Sequence, residues 1–110
     1  MATQRRYGAN IKSLKNNTIH CFYCGKKMSE RNKTIDHIVP IQNGGSNCID
    51  NIVICCRRCN GFKGRYTVSE LIEQLNKRYK FADEKSRKKL SKEMLHWKKI
   101  KELLKGGVQE

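Results

Sequence analysis

Asp36-His37-Ile38-Val39-Pro40, then Asp50-Asn51-Ile52-Val53-Ile54, then Cys56-Arg57-Arg58-Cys59-Asn60-Gly61-Phe62-Lys63: these three pieces decide the fold. Residues 34–40 are rich in β-branched side chains and end at Pro40, which predicts a strand that stops there. Residues 50–55 predict a second strand of the same kind. Gly44-Gly45-Ser46-Asn47 between them is strong turn punctuation, so the pair reads as a hairpin with a wide loop. Cys56 to Gly64 reads as a turn entering a short helix, with Gly64 as its stop. On that helix Asn60, Lys63 and Gly64 share one face, because positions i, i+3 and i+4 lie together. The predicted class is α+β, a strand–strand–helix core followed by further helices.

The cysteines supply the missing stability. A chain of 110 residues buries a modest share of its surface, so a core this small leans on staples. Of the six cysteines, Cys21 and Cys24 form one C-x-x-C pair and Cys56 and Cys59 a second. That gap lets both sulfurs of a pair reach one ion, and thiolates select soft metals such as zinc over magnesium. Four protein ligands leave no open position, so the expected zinc is structural, clamping residues 21–24 to the start of the short helix. Gly25 suits the tight turn that bends amides toward the thiolates. His20 precedes the first pair but is surplus to a complete tetrahedral set. Cys48 and Cys55 have no such spacing and read as free, buried thiols.

Two observations argue against a disulfide framework. The spacing is a metal spacing, and Met1 to Asn17 is polar and basic, with no apolar signal segment. A reducing cytoplasm is the expected location. No run of apolar residues is long enough to span a membrane, so no membrane partner is expected.

The partner is read from charge. Lys and Arg number 24 against 10 Asp and Glu, a net charge of +14. The excess is spread as +4 over residues 1–20, +5 over 21–66 and +5 over 67–110. A basic surface of this extent fits a polyanion, and nucleic acid is the commonest one.

Three segments follow. Residues 1–17 are a basic arm in which Ile11 and Leu14 hint at one helical turn. Residues 18–66 are the core. Residues 67–110 are a helical extension, opened by the capping box Thr67-Val68-Ser69-Glu70, with Leu71, Ile72, Leu75 and Tyr79 at helical spacing. A second helix is expected from near Asp83, with Leu90, Met94, Trp97 and Leu104 on its packed stripe and Gly106-Gly107 ending it. Lys85, Lys88, Lys89, Lys92 and Lys99 lie off that stripe, where they could face a nucleic-acid backbone. His96, beside Trp97, reads as structural or solvated.

As an ordered set, Cys21-x-x-Cys24, Asp36-His37-Ile38-Val39-Pro40, Gly44-Gly45, Asp50-Asn51-Ile52 and Cys56-x-x-Cys59-Asn60-x-x-Lys63-Gly64 resembles the HNH endonuclease family, over roughly residues 18–66. The resemblance implies a ββα-metal (His-Me finger) core stapled by a four-cysteine zinc site. It implies His37 as the general base that activates water and Asp36 as a ligand of a catalytic divalent ion. It implies Asn51 as the middle Asn that holds the hairpin and helps position His37. Asn60 stands at the last ligand position, making the chain an HNN variant, and an amide oxygen there suits a hard cation. Lys63 stands where many members carry a lysine facing phosphate. A small, basic, stand-alone chain of this kind resembles those encoded by phages beside packaging genes. That implies packaging proteins as partners and the host cytoplasm as location.

On this basis the expected activity is metal-dependent nicking of double-stranded DNA by a monomer or weak dimer. A histidine of ordinary pKa accepts water's proton near neutral pH. One carboxylate and one amide suit a single Mg²⁺ or Mn²⁺ that keeps several waters. Arg57, Arg58, Lys63 and Arg65 are expected on flanking phosphates, contacts that position a duplex without reading its sequence. The alternative is a non-catalytic zinc-ribbon module that only binds nucleic acid, which leaves Asp36, His37 and Asn60 idle. A zinc deaminase would need an H-x-E pair that this sequence lacks.

Overall fold

Two short strands form the centre of the first of two units. In the computed structural model, which describes residues 7–104 and the side chains of 11–104, the chain divides into Met1–Arg65 and Tyr66–Glu110. The break falls one residue before the expected boundary at 66/67.

β1 (Lys33–His37) and β2 (Ile52–Cys56) pair antiparallel, with Lys33 opposite Cys56, Ile35 opposite Ile54 and His37 opposite Ile52. All five residues of β2 are buried, which explains an apolar run without polar alternation. β1 alternates less regularly and buries Lys33 and Asp36. The strand expected over 34–40 therefore ends at His37. Its continuation is captured by a side chain: Asn51 Oδ1 accepts from the Val39 amide at 2.9 Å, and Asn51 Nδ2 donates to the Val39 carbonyl at 3.0 Å. Those groups would otherwise serve a strand ladder. The second strand starts two residues later than expected because Ile49–Asn51 form a 3₁₀ turn that delivers Asn51 to this duty.

The hairpin loop is pinned at one more point. Asn51 Nδ2 also donates to the Ser46 carbonyl at 2.8 Å, and Gly45 N bonds Pro40 O at 3.0 Å. Gly45 is needed for space: a Cβ there would sit 1.7 Å from Val39 O. Gly45→Ala must displace backbone, and is expected to cost about 1–3 kcal/mol. Gly61→Ala has nothing within 4 Å of the new methyl, lies in a helix, and is expected to stabilise by about 0.5–1 kcal/mol. Thermal midpoints of the two variants check the contrast.

α1 (Tyr7–Asn17) precedes the strands and is longer than the single turn expected there. Ile11 is buried, and Lys33 Nζ donates to the Lys15 carbonyl at 2.8 Å, so this helix is part of the first unit rather than a separate arm. The remainder of the expected arm lies outside the described residues. α2 (Arg57–Lys63) follows β2 directly and ends at Gly64, which adopts a positive φ.

The second unit is a helical hairpin of α3 (Val68–Phe81) and α4 (Glu84–Leu104) packed on each other. The capping box is present as read: Glu70 N donates to Thr67 Oγ1 at 3.1 Å and Thr67 N to Glu70 Oε1 at 2.9 Å. Val68, Leu71, Leu75, Trp97, Ile100 and Leu104 are buried, while Leu90 and Met94 lie at the margin. Ile100 is the core residue that the expected stripe left out. At the turn, Arg87 stacks over the Tyr79 ring and donates to the carbonyls of Tyr79 and Lys80, closing the end of α3. The expected terminator Gly106-Gly107 lies outside the described residues. No described helix is long and apolar enough to cross a membrane.

Candidate active site

The scaffold of the site is the thiol cluster. The knuckle at residues 21–24 is fastened to β2 by Phe22 N donating to Ile54 O at 3.0 Å, and Gly25 closes its turn with a positive φ. This brings Cys21 and Cys24 to Cys56 and Cys59, which sit at the start of α2. All four sulfurs lie within 4.8 Å of one another, and Cys24 Sγ is 3.9 Å from Cys56 Sγ. A tetrahedral zinc with bonds of about 2.3 Å sets its sulfurs about 3.8 Å apart, so the cluster fits such an ion. Two amides turn onto the sulfurs, Cys24 N to Cys21 Sγ and Cys59 N to Cys56 Sγ, both at 3.4 Å.

The acidity of the thiols differs. Burial alone would raise Cys21, but hydrogen bonds from the backbone at Cys24, Cys56 and Tyr23 outweigh it and hold the thiol at about 7. Burial raises Cys24 and Cys59. No disulfide joins the six cysteines. Cys55, fully buried and 3.5 Å from Thr34 Oγ1, is pushed up to about 12 by burial and stays a thiol. Cys48 is only half-buried, short of the burial expected of it. His20 is exposed, bridges Lys27 through the backbone and stands apart from the thiol cluster. His96 meets the Trp97 ring edge-on.

Asp36 and His37 end β1 and together line an open hollow of about 470 Å³ with Ile35, Pro40, Ile41, Gln42, Gly64 and Arg65. At about 30 Å³ per water this holds a phosphate group and several waters. His37 Nε2 lies 2.9 Å from Asn47 Oδ1. An amide oxygen only accepts, so with the Asn47 amide in this orientation Nε2 is the donor of the pair. Asn47 had appeared in the sequence as turn punctuation and nothing more.

Asp36 is 6% exposed, and an acid so buried needs a counter-charge. Lys63 supplies it, with Nζ 3.2 Å from Asp36 Oδ2 and 3.2 Å from the His37 carbonyl. Tyr23 donates its hydroxyl to the same Oδ2 at 2.5 Å. Burial, then the Asp36 charge, pushes the Tyr23 hydroxyl far above its ordinary range, so it keeps its proton. The expectation that Lys63 faces a phosphate is thus corrected. Its side chain is fully buried, and its ammonium neutralises Asp36.

Asn60 is placed by α2 on the β1 side. Its Nδ2 donates to Thr34 Oγ1 at 3.0 Å and to the Ile35 carbonyl at 3.4 Å, which turns the amide nitrogen to the strand. Asn60 is not among the residues that line the hollow. Asp36 and Asn60 each carry a side-chain oxygen, the kind of donor a hard cation takes. Asp36 meets both its partners through Oδ2, so Oδ1 is the oxygen it can offer. Among the described residues the four cysteines are the one cluster of three or more His, Cys, Asp or Glu with converging ligand atoms.

A sequence model of the HNH endonuclease family matches residues 21–76, just over half of the chain. The chain belongs to the HNH endonuclease family. It is 42% identical over 53 residues to the CRISPR-associated endonuclease Cas9 of Corynebacterium diphtheriae, a match that takes in 47% of this chain and 5% of that protein. The Type II-C Cas9 enzyme from Actinomyces naeslundii is a similar solved structure. It is 24% identical with a TM-score of 0.42, over 83% of this chain and 12% of that one. This chain therefore spans a small fraction of either relative.

The arginines expected on phosphates differ in their availability. Arg65 lines it. Arg58 is exposed. Arg57 is exposed too, but its Nε donates to the Arg31 carbonyl at 2.8 Å and fixes the side chain along the η-turn Glu30–Asn32. Asn51 is 5% exposed and spends its amide on the hairpin loop.

Proposed function

We propose that this HNH chain hydrolyses phosphodiester bonds in double-stranded DNA, nicking one strand at a time. The observation that carries the proposal is the placement of Asp36 and His37 side by side on an open hollow, with the imidazole held by Asn47. In the proposal zinc occupies the four-thiolate cluster as scaffold. Asp36 and Asn60 hold a single Mg²⁺ or Mn²⁺ together with waters. Bound there, the hard ion supplies Lewis-acid polarisation of the scissile phosphate and stabilises charge on the leaving oxygen.

The chain's own residues do the rest. His37 accepts the proton of the attacking water at Nδ1, while Asn47 keeps Nε2 protonated and the ring oriented. Asn51 fixes the loop that carries Asn47 by tying Val39 to Ser46, so it acts on His37 at one remove. Arg65, at the hollow, and Arg58, exposed on α2, hold flanking phosphates. Lys85, Lys88, Lys89, Lys92 and Lys99 are the residues of the second unit proposed to meet a nucleic-acid backbone. Contacts of this kind carry little sequence information, so weak specificity and steep salt dependence are part of the proposal. The nuclease core is residues 18–66, in a monomer or weak dimer. The location proposed for it is the reducing cytoplasm of a host cell. A place beside phage packaging proteins is supported by the family resemblance alone.

A supercoiled-plasmid time course with Mg²⁺ or Mn²⁺ tests the activity. Open circles are expected before linear molecules. Supercoiled DNA passing straight to linear would oppose single-strand nicking. Tight binding with no cleavage under either ion would replace the enzyme by the binding module.

A further inference from the structure

Tyr23 occupies a position that neither the thiol cluster nor the general base explains. It lies between Cys21 and Cys24, within the knuckle, and its ring is 2% exposed and meets Phe22 edge-on. The backbone on both sides of it is pinned, by Phe22 N to Ile54 O and by Cys24 N to Cys21 Sγ. Its hydroxyl ends on Asp36 Oδ2, the oxygen that also receives Lys63.

Two donors on one carboxylate oxygen do more than neutralise it. They stop rotation about the bond to the carboxylate and decide which oxygen remains for a cation. Lys63 alone, a point charge on a flexible stem, would leave that rotation open. A phenol on a rigid ring, with its ring buried and its backbone stapled, does not. Outer-sphere partners of this kind commonly set the affinity of an ion through the ligand they hold.

We infer that Tyr23 is a positioning residue that fixes the Asp36 carboxylate with Oδ1 presented to the divalent ion, and so couples the thiolate knuckle to the hard-metal site. The inference rests on the reading of Asp36 as a ligand of that ion. It gives the C-x-x-C knuckle a second duty: the ion held by sulfur sets the geometry of the ion held by oxygen, through one side chain.

The test is Tyr23→Phe, which deletes only the hydroxyl and keeps the buried ring. Zinc-loaded wild type and variant are compared for zinc per chain, for thermal midpoint, and for Mn²⁺ affinity without DNA from the electron paramagnetic resonance of free Mn²⁺. Plasmid cleavage is then followed against Mn²⁺ concentration. Both proteins are expected to hold one zinc. The variant is expected to bind Mn²⁺ about 10-fold more weakly, the range typical of lost outer-sphere partners. Its cleavage is expected to recover toward the wild-type rate at saturating Mn²⁺. Equal Mn²⁺ affinity in the two proteins overturns the inference while leaving the nuclease intact. Loss of zinc or of folding in the variant also overturns it, since Tyr23 would then serve the knuckle and not the carboxylate. A wild type that neither binds Mn²⁺ nor cleaves DNA removes the nuclease reading and the inference together.

Discussion

His37→Ala lowers plasmid cleavage by about 10²–10⁴-fold, the contribution usual for a positioned general base, while zinc content and thermal midpoint stay at wild-type values. The separation is expected because His37 ends its strand at the edge of a hollow and is half-exposed. Truncating it opens no cavity in a core. The neighbouring contacts that hold the hairpin run through Asn51 and the His37 carbonyl, and a change of side chain leaves both in place. Rates under single-turnover conditions, at saturating DNA and Mn²⁺, check the size of the loss. A variant that keeps more than about a tenth of the wild-type rate would remove His37 from the role of base, since a tenfold loss is below what proton transfer contributes.

The second large effect concerns the sulfur-bound metal. Cys56→Ser is expected to abolish the cooperative unfolding transition of the first unit at ordinary temperatures. Structural zinc contributes about 10–16 kcal/mol in small metal-folded domains, as much as or more than the roughly 5–15 kcal/mol that keeps a typical domain folded. Serine is the informative substitution. Cys56 caps α2 by accepting from Cys59 N, and a hydroxyl can take over that hydrogen bond. What serine cannot do at zinc is replace a thiolate, so the loss reports metal ligation. Amide exchange in β1 and β2 and a thermal melt, each with and without zinc, measure it. Acidification acts in the same direction. Binding displaces thiol protons, so zinc affinity falls with falling pH: protons on Cys24 and Cys59, whose thiols burial raises, compete throughout the neutral range, and the proton on Cys21 joins them below about 7. Protection of β1 and β2 unchanged by zinc removal would show a core that stands without the staple.

Much of this was legible in the chain because the decisive residues carry chemistry that spacing alone constrains. Two C-x-x-C pairs give the metal spacing directly, and the β-branched runs on either side of Gly44-Gly45 give the hairpin between them. The capping box at Thr67 was equally plain, being a local hydrogen-bond pattern with a fixed offset. The strand ends were less so. Nothing in Ile38-Val39-Pro40 says that Asn51 will take the Val39 hydrogen bonds, because that contact joins residues twelve apart through a side chain.

Lys63 shows the more general difficulty. Its helical spacing from Asn60 placed both on one face, and that much is so: both turn toward β1. The error was to carry over the phosphate-facing lysine that the family resemblance implies at this position, where the ammonium instead meets Asp36. Asp36 carried the signal that could have corrected it, a lone acid beside apolar residues whose burial is costly without a paired cation. Tyr23 left a weaker trace. An aromatic between two metal-binding cysteines looks like packing, and only coordinates reveal where its hydroxyl ends. Asn47 likewise looked like turn chemistry, although its amide serves the imidazole.

The central claim is that sulfur-bound and oxygen-bound ions have separate tasks, and cleavage by zinc-loaded protein as Mn²⁺ is titrated tests it most directly. With zinc held at one per chain, the account predicts no cleavage before Mn²⁺ is added and a rate that rises hyperbolically to a plateau. Full cleavage on zinc alone, unaffected by Mn²⁺, would contradict it.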